Sequence, residues 1–344
     1  MHVFNAFLVV LFCCKTMFSQ QYKIVTVAFY NLENLFDCED DVLTFDNDYT
    51  PKGKNNWTEE RLEIKLENLA HTILKIGKDK TQKSPAFIGV AEIENRNILE
   101  RLIDHPILAN TDYGIAHFNS PDRRGIDVAF LYDRKLFKLT NAQKHHLDLK
   151  TALGETIYTR DQLCVSGYLG TELMYCIVNH WPSRRGGLKR SEPKRIQAAK
   201  LSQRILDSIQ EIDKNAKIMM MGDFNDNPNN VSFKKVLNTK NKKNPKAKKN
   251  YLYNPMEVMY KKGLGSLGYR DQWSLFDQIL ISKALVDSSG WHYWSAHIYN
   301  PKHLKNERGR YKGYPKRTFA GGKYQTGYSD HFPVYVYLIK KASE

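Results

Sequence analysis

The stretch Ile218-Met219-Met220-Met221-Gly222-Asp223-Phe224-Asn225-Asp226-Asn227-Pro228 constrains the fold more than any other part of the chain. An unbroken apolar run of this length reads as a buried strand, and Gly, Asn and Pro then end it. Asp223 and Asn225 therefore sit at a strand's exit, where open α/β sheets present their chemistry. The same pattern taken alone also describes an Asx-rich turn whose side chains bond their own backbone. Deciding between the two requires the rest of the chain.

Other predicted strands end in the same way. Residues 23–30 alternate and are rich in β-formers, leading to Asn31-Leu32-Glu33-Asn34. Residues 86–90 form a short apolar strand that delivers Ala91-Glu92-Ile93-Glu94, and residues 127–132 another, entered through Arg123-Arg124-Gly125. A hairpin over 162–168 and 172–178 turns at Gly170-Thr171 and leads to Asn179-His180-Trp181-Pro182. Residues 274–281 read as a strand with Asp277 near its middle, and Ser329-Asp330-His331 precedes a last strand over 334–339. Two helices separate these strands. One covers 58–76, with Thr58 as its cap, and the other starts at Ser191 with Pro193 in its first turn. No repeat or linker divides the sequence, so residues 22–341 read as one domain.

Composition bounds the partners. With 52 Lys and Arg against 37 Asp and Glu, the formal net charge is +15, which favours a polyanionic partner. Lys-rich residues 240–249 read first as a solvated surface loop, and the basic, aromatic stretch 302–323 suits either a contact surface or a mobile loop. The apolar run at residues 3–14 is too short to span a membrane and reads as a secretory signal over residues 1–19, which implies a secreted or periplasmic protein. Beyond it remain Cys38, Cys164 and Cys176, an odd number that excludes a full disulfide framework. A bridge between Cys164 and Cys176 depends on strand register; two packed small hydrophobes are the alternative. No CxxC spacing occurs, so the sequence gives no ground for a thiolate zinc site.

Strand ends thus gather carboxylates, amides and two histidines. Mg²⁺ prefers oxygen ligands and keeps several waters, so one or two carboxylates with a carboxamide can hold it beside a phosphate. Phosphoryl transfer then needs a water-orienting base and donors for the charge on the phosphate.

Six motifs, Tyr30 to Asp37, Ala91-Glu92-Ile93, Asn179 to Ser183, Gly222 to Asn225, Phe276 to Ile279 and Ser329 to Pro333, resemble in content and order those of the endonuclease/exonuclease/phosphatase superfamily. The chain looks like a secreted, bacterial-type member of its deoxyribonuclease I-like branch. The resemblance implies a four-layer α/β sandwich, with two packed mixed β-sheets flanked by helices. It implies Mg²⁺, or Mn²⁺ or Ca²⁺ in its place, held by Glu92 with Asn31 and Asp330. It implies that Asp223 activates water, that Asn225 holds water or phosphate, and that His331 contacts the scissile phosphate with Asp277 orienting it. His180 would supply a proton to the leaving oxygen, and Arg124 and Tyr113 would contact substrate. The family's Gln before the metal-binding Glu is Ala91 here, which leaves Glu94 as a competitor for the ligand role.

The expected activity is Mg²⁺-dependent hydrolysis of DNA or RNA phosphodiesters by a monomer with no stable protein partner. The same site serves phosphatases, sphingomyelinases and inositol-phosphate hydrolases, although no apolar surface hairpin stands out in the sequence. A non-catalytic nucleic-acid-binding module is the remaining alternative, and the complete residue set argues against it.

Overall fold

In the computed structural model, which describes residues 21–247 and 250–342, twelve of the strands fall into two six-stranded sheets and four into two two-stranded ones. In chain order they are β1 (Tyr22–Leu35), β2 (Phe87–Ile93), β3 (Tyr113–His117), β4 (Asp127–Asp133), β5 (Phe137–His145), β6 (Gln162–Leu169), β7 (Glu172–His180) and β8 (Lys217–Asp223). They continue with β9 (Leu252–Tyr253), β10 (Leu267–Tyr269), β11 (Gln272–Ser274), β12 (Asp277–Ser282), β13 (His292–Ile298), β14 (Phe319–Ala320), β15 (Lys323–Tyr324) and β16 (Val334–Lys341). The two-stranded sheets are β10-β11 and β14-β15; the first six-stranded sheet runs β13-β16-β1-β2-β4-β3 and the second β5-β6-β7-β8-β12-β9. Each is mixed, with one parallel pair, β1 with β2 and β7 with β8, among antiparallel neighbours.

A parallel pair needs a crossover, and a helix supplies each one. Helix α1 (Glu59–Lys75) lies between β1 and β2 in sequence and buries Leu62, Leu66, Leu69 and Ile73 on one stripe. Thr58 occupies its N-cap position, but the side chain makes no capping hydrogen bond. After the single turn α2 (Lys78–Thr81), α3 (Arg96–Ile103) packs on the same layer, and α4 (Leu188–Ile212) links β7 to β8. This last helix starts at Leu188, ahead of the expected Ser191, so Pro193 lies inside its first turns.

Alternation along β8 shows the four layers. Met219 and Met221 join Val27, Phe29, Val178, Ile279 and Val336 between the sheets, while Ile218 and Met220 face α4. The outer face of the first sheet packs Ala28, Tyr30, Ile88 and Val90 against α1 and α3. The order helix, sheet, sheet, helix is the sandwich expected from the sequence. Gly89 permits the close approach of the sheets: a Cβ there would meet Met221 Sδ at 2.7 Å.

The same alternation decides the cysteines. Cys164 lies opposite Ile177 and Cys176 opposite Val165, which puts the two thiols on opposite faces of one ladder, and both are free. The signal segment expected at 1–19 lies outside the described residues. Among the described residues no helix is long and apolar enough to cross a membrane.

Candidate active site

Three functional side chains stand abreast at one end of the second sheet. His180 pairs in register with Asp223 across the parallel ladder, and Asp223 with Asp277 across the antiparallel one. Asp277 is thus the first residue of β12, not its middle as the sequence suggested. By parity with Met221, Val178 and Ile279, all three point between the sheets, where the apolar core gives way to polar groups. Gly222 is required beside them because a Cβ would meet the Asn179 carbonyl at 2.3 Å. Phe224 points to the other face and locks the turn through a ring cluster with Trp181 and Phe233.

The first sheet answers with Asn31 and Glu92, and its bulges aim them. Glu33, Asn34 and Glu92 have φ of 50°, 49° and 60°, at the register break between β1 and β2. Regular alternation would send Ile93 to the same side as Ala91, yet Ala91 faces the inter-sheet core and Ile93 faces the helices. The left-handed residue between them reverses the alternation, as a bulge does when it re-aims a side chain. Asn225 has φ of 50°, so four left-handed non-glycine residues converge on this one end of the molecule.

The resulting contacts centre on Asp223. Its Oδ2 accepts from Asn31 Nδ2 at 3.2 Å and lies 3.7 Å from His180 Nε2 and 3.9 Å from His331 Nε2. Its Oδ1 accepts the Asn225 N–H at 2.9 Å, while Asn225 Nδ2 donates to the Trp181 carbonyl at 3.0 Å. Glu92 accepts the Asn34 N–H through Oε2, and its Oε1 lies 3.8 Å from His180 Nε2. His331 Nδ1 is 2.7 Å from Asp277 Oδ2, which also accepts from Ser266.

Burial sets the protonation states apart. Burial holds His180 well below the ordinary imidazole value, and the nearby Arg160, Arg124 and His331 push it further down. For His331 burial acts in the same direction, but the charge and hydrogen bond of Asp277, with Asp330 and Asp223, override it and hold the ring well above that value. Burial lifts Asp223 to about 7, aided by Asp277 and Glu92 and opposed by His331. The two rings are thus shifted in opposite directions, His331 toward its charged form and His180 toward its neutral one.

Glu92, His180 and Asp223 offer ligand atoms that all lie within 4.8 Å of one another, as do Asp223, Asp277 and His331. The Asp277–His331 hydrogen bond marks the second group as an imidazole–carboxylate pair. The first, with the Asn31 carboxamide beside it, suits a hard, oxygen-seeking divalent cation. Asp330 belongs to neither group. Its Oδ1 is 3.8 Å from His331 Nε2, and its Oδ2 accepts from Arg317 Nη2 at 2.9 Å.

Arg124 lines an open cleft of about 410 Å³ together with Glu92, His180, Asp223 and His331. Tyr113 does not. It starts β3 opposite Asp133 at the far end of the first sheet, buried, with its hydroxyl donating to the Pro85 carbonyl. Position along the chain suggested a substrate residue, but strand direction carries it away from the site. Glu94 is also directed elsewhere, accepting the Asp37 N–H at 2.7 Å.

Three contributors escaped the sequence. Arg160 ties the loop carrying Arg124 to the end of β7, donating to Asp122 Oδ2 at 2.9 Å and to the Trp181 carbonyl at 2.7 Å. Glu33 is buried and accepts from Arg317 Nε and the Thr318 N–H, with Lys65 3.8 Å away. Arg317 bridges Glu33 and Asp330. Residues 240–247, by contrast, border a hollow against α4 and share no lining residue with the catalytic cleft.

A family model described as Endonuclease/Exonuclease/phosphatase family matches residues 26–340. Comparison with curated proteins finds no match. Among solved structures, a truncated Caenorhabditis elegans TDP2 is similar, with TM-score 0.56, 14% identity and coverage of 92% of this chain and 97% of that one. An endonuclease/exonuclease/phosphatase family protein from Bacteroides thetaiotaomicron is similar at TM-score 0.54 and 16% identity, covering 95% and 98%. D. rerio TDP2 complexed with single strand DNA product is similar at TM-score 0.52 and 13% identity, covering 92% and 98%. At these identities the likeness concerns the fold.

Proposed function

The chain belongs to the Endonuclease/Exonuclease/phosphatase family, and on that premise we propose that it is a secreted or periplasmic Mg²⁺-dependent endonuclease that cleaves DNA or RNA. Family and fold make it a phosphodiesterase-type hydrolase dependent on a divalent metal. The observation that carries the finer reading is the convergence of Asn31, Glu92, His180, Asp277 and His331 on the buried carboxylate of Asp223.

Asp223, lifted to about 7, takes a proton from the attacking water near neutral pH. Asn31 and the Asn225 N–H hold its two oxygens in place. His331, kept protonated by Asp277, donates to the charge that builds on the phosphoryl oxygens. Glu92, Asn31 and Asp330 would hold Mg²⁺, with Mn²⁺ or Ca²⁺ as substitutes in assay. When bound, the cation neutralises charge on the phosphate and on the departing oxygen. A net charge of +15 draws a polyanion toward the cleft. The DNA product held by the D. rerio neighbour supports nucleic acid as the substrate class.

One observation favours a second reading. Val42, Leu43 and Phe45 are 88%, 87% and 69% exposed on a loop tied to the cleft's rim by the Phe45 N–H to Arg123 carbonyl bond. An apolar tip beside the site, not evident in the sequence, suits a lipid phosphodiester such as sphingomyelin. Hydrolysis of plasmid DNA, RNA, phosphoinositides and sphingomyelin, each with Mg²⁺ and with EDTA, separates the readings. Cleavage of lipid alone overturns the nuclease.

A further inference from the structure

A second cavity, of about 540 Å³, is lined by Asp330, whose chain neighbour His331 lines the catalytic cleft. Its walls are the β10–β11 hairpin and residues 306–317, and Arg317 and Asp330 form its inner end. Four arginines line it, Arg270, Arg308, Arg310 and Arg317, against two carboxylates, Asp271 and Asp330.

Its aromatic residues are displayed where most proteins would cover them. Tyr269 is 63% exposed and Tyr311 53% exposed. The Arg270 guanidinium lies 5.2 Å from the Tyr269 ring centre, and that of Arg310 5.9 Å from the Tyr311 ring centre. Tyr311 in turn lies 5.9 Å from Tyr314, which packs on Trp273 at 5.3 Å. Arg308 has no hydrogen bond or ion pair among the described residues. Arg310 has one ion pair, with Asp271 at 3.8 Å, in which both side chains are more than 70% exposed, so the pairing adds little. The hairpin's turn residues, Arg270 and Asp271, have φ of 48° and 59°. A two-residue turn of this type ordinarily uses Asn-Gly or Asp-Gly. Placing an arginine there spends conformational energy and puts a guanidinium at the cavity's mouth.

We propose that this groove receives the nucleotides next to the scissile phosphate of a single-stranded nucleic acid, with bases on Tyr269 and Tyr311 and phosphates on Arg308 and Arg310. The assignment rests on the nuclease reading and deepens it. Unpaired bases present π-faces to such rings, whereas a duplex stacks its bases internally. A compact phosphoester is satisfied within the cleft on the Arg124 side, while a strand running through the site enters both cavities.

The test compares a single-stranded 12-mer with bis(p-nitrophenyl) phosphate, a small phosphodiester, in the wild type, in Tyr269→Ala/Tyr311→Ala and in Arg308→Ala. Loss of the rings should lower the ratio of kcat/KM for the 12-mer to that for the small ester by about tenfold per stacked base. Arg308→Ala should flatten the salt dependence of 12-mer binding by about one phosphate contact. A ratio and a salt slope both unchanged overturn the groove and leave the nuclease intact. A wild type that hydrolyses the small ester and no nucleic acid overturns both. Because all three side chains lie on the surface or make no contact, impaired folding is not expected; circular dichroism spectra of the variants check this.

Discussion

His331 Nδ1 lies 2.7 Å from Asp277 Oδ2, across 54 residues of chain, and the other imidazole nitrogen faces Asp223 at 3.9 Å. The hydrogen bond fixes the ring's orientation, and with the carboxylate's charge it favours the protonated ring despite burial. Asp277→Asn preserves shape while removing the charge, so kcat should fall on the order of 10²–10⁴-fold with little change in KM. Because the substitution takes the counter-charge from a buried imidazole and leaves the ring behind, the variant should also melt earlier than the wild type. Turnover within a factor of a few of wild type would detach Asp277 from the chemistry.

Asp223 provides a second test. Its carboxyl is buried and raised to about 7, so folding gains little from its charge. Asp223→Ala should therefore fold, retain Mg²⁺ binding through Glu92 as read by calorimetry, and lose at least about 10²-fold in hydrolysis. Loss of both metal binding and activity would instead place Asp223 among the principal ligands.

The two acids after Ala91 can be separated in the same way. Glu92 points toward Asp223 and His180 because of its left-handed backbone. Glu94 accepts the Asp37 N–H and is lifted to about 8 by burial, with Asp37 and Asp46 adding to the shift. A carboxyl that is already largely neutral tolerates an amide, so Glu94→Gln should turn over near the wild-type rate. Glu92→Gln should lose Mg²⁺-dependent hydrolysis. The reverse result makes Glu94 the ligand.

The parts of the site that were legible in the sequence are those where a strand and its exit are contiguous in the chain. Asp223 with Asn225, Glu92 and His180 each announce themselves through an apolar run and the polar residues after it, and His331 through the polar residues just ahead of one. Arg317 could not be read in this way, because its partner Glu33 is 284 residues distant and only the fold brings them to 3.1 Å. Tyr113 fails for the opposite reason: chain position says nothing of which end of an antiparallel strand meets the site. The two sheets were legible through alternation, whereas the partly exposed β5 gives no clear apolar pattern and passed unnoticed. Register, which separates Cys164 from Cys176, is a property of paired strands and not of either alone.

The last prediction lies at the end of the molecule opposite the site. Glu172 accepts from Lys217, from Lys340 at 2.8 Å and from the Trp291 N–H at 3.0 Å, joining β7 and β8 of one sheet to β16 and the start of β13 in the other. Burial alone would raise its carboxyl, but the two ammonium groups and the amide outweigh that and lower it below the usual value. A depressed folded-state value means that the stabilisation is present above the unfolded carboxyl's titration near pH 4 and is lost as pH falls through the folded value. Glu172→Gln should thus cost on the order of 2 kcal/mol at pH 7, read as a drop of several degrees in Tm. At pH 3 the gap should narrow, since the wild type's own carboxyl is then gaining its proton. A gap that stays constant or widens in acid would mean that Glu172 holds the sheets by shape and not by charge.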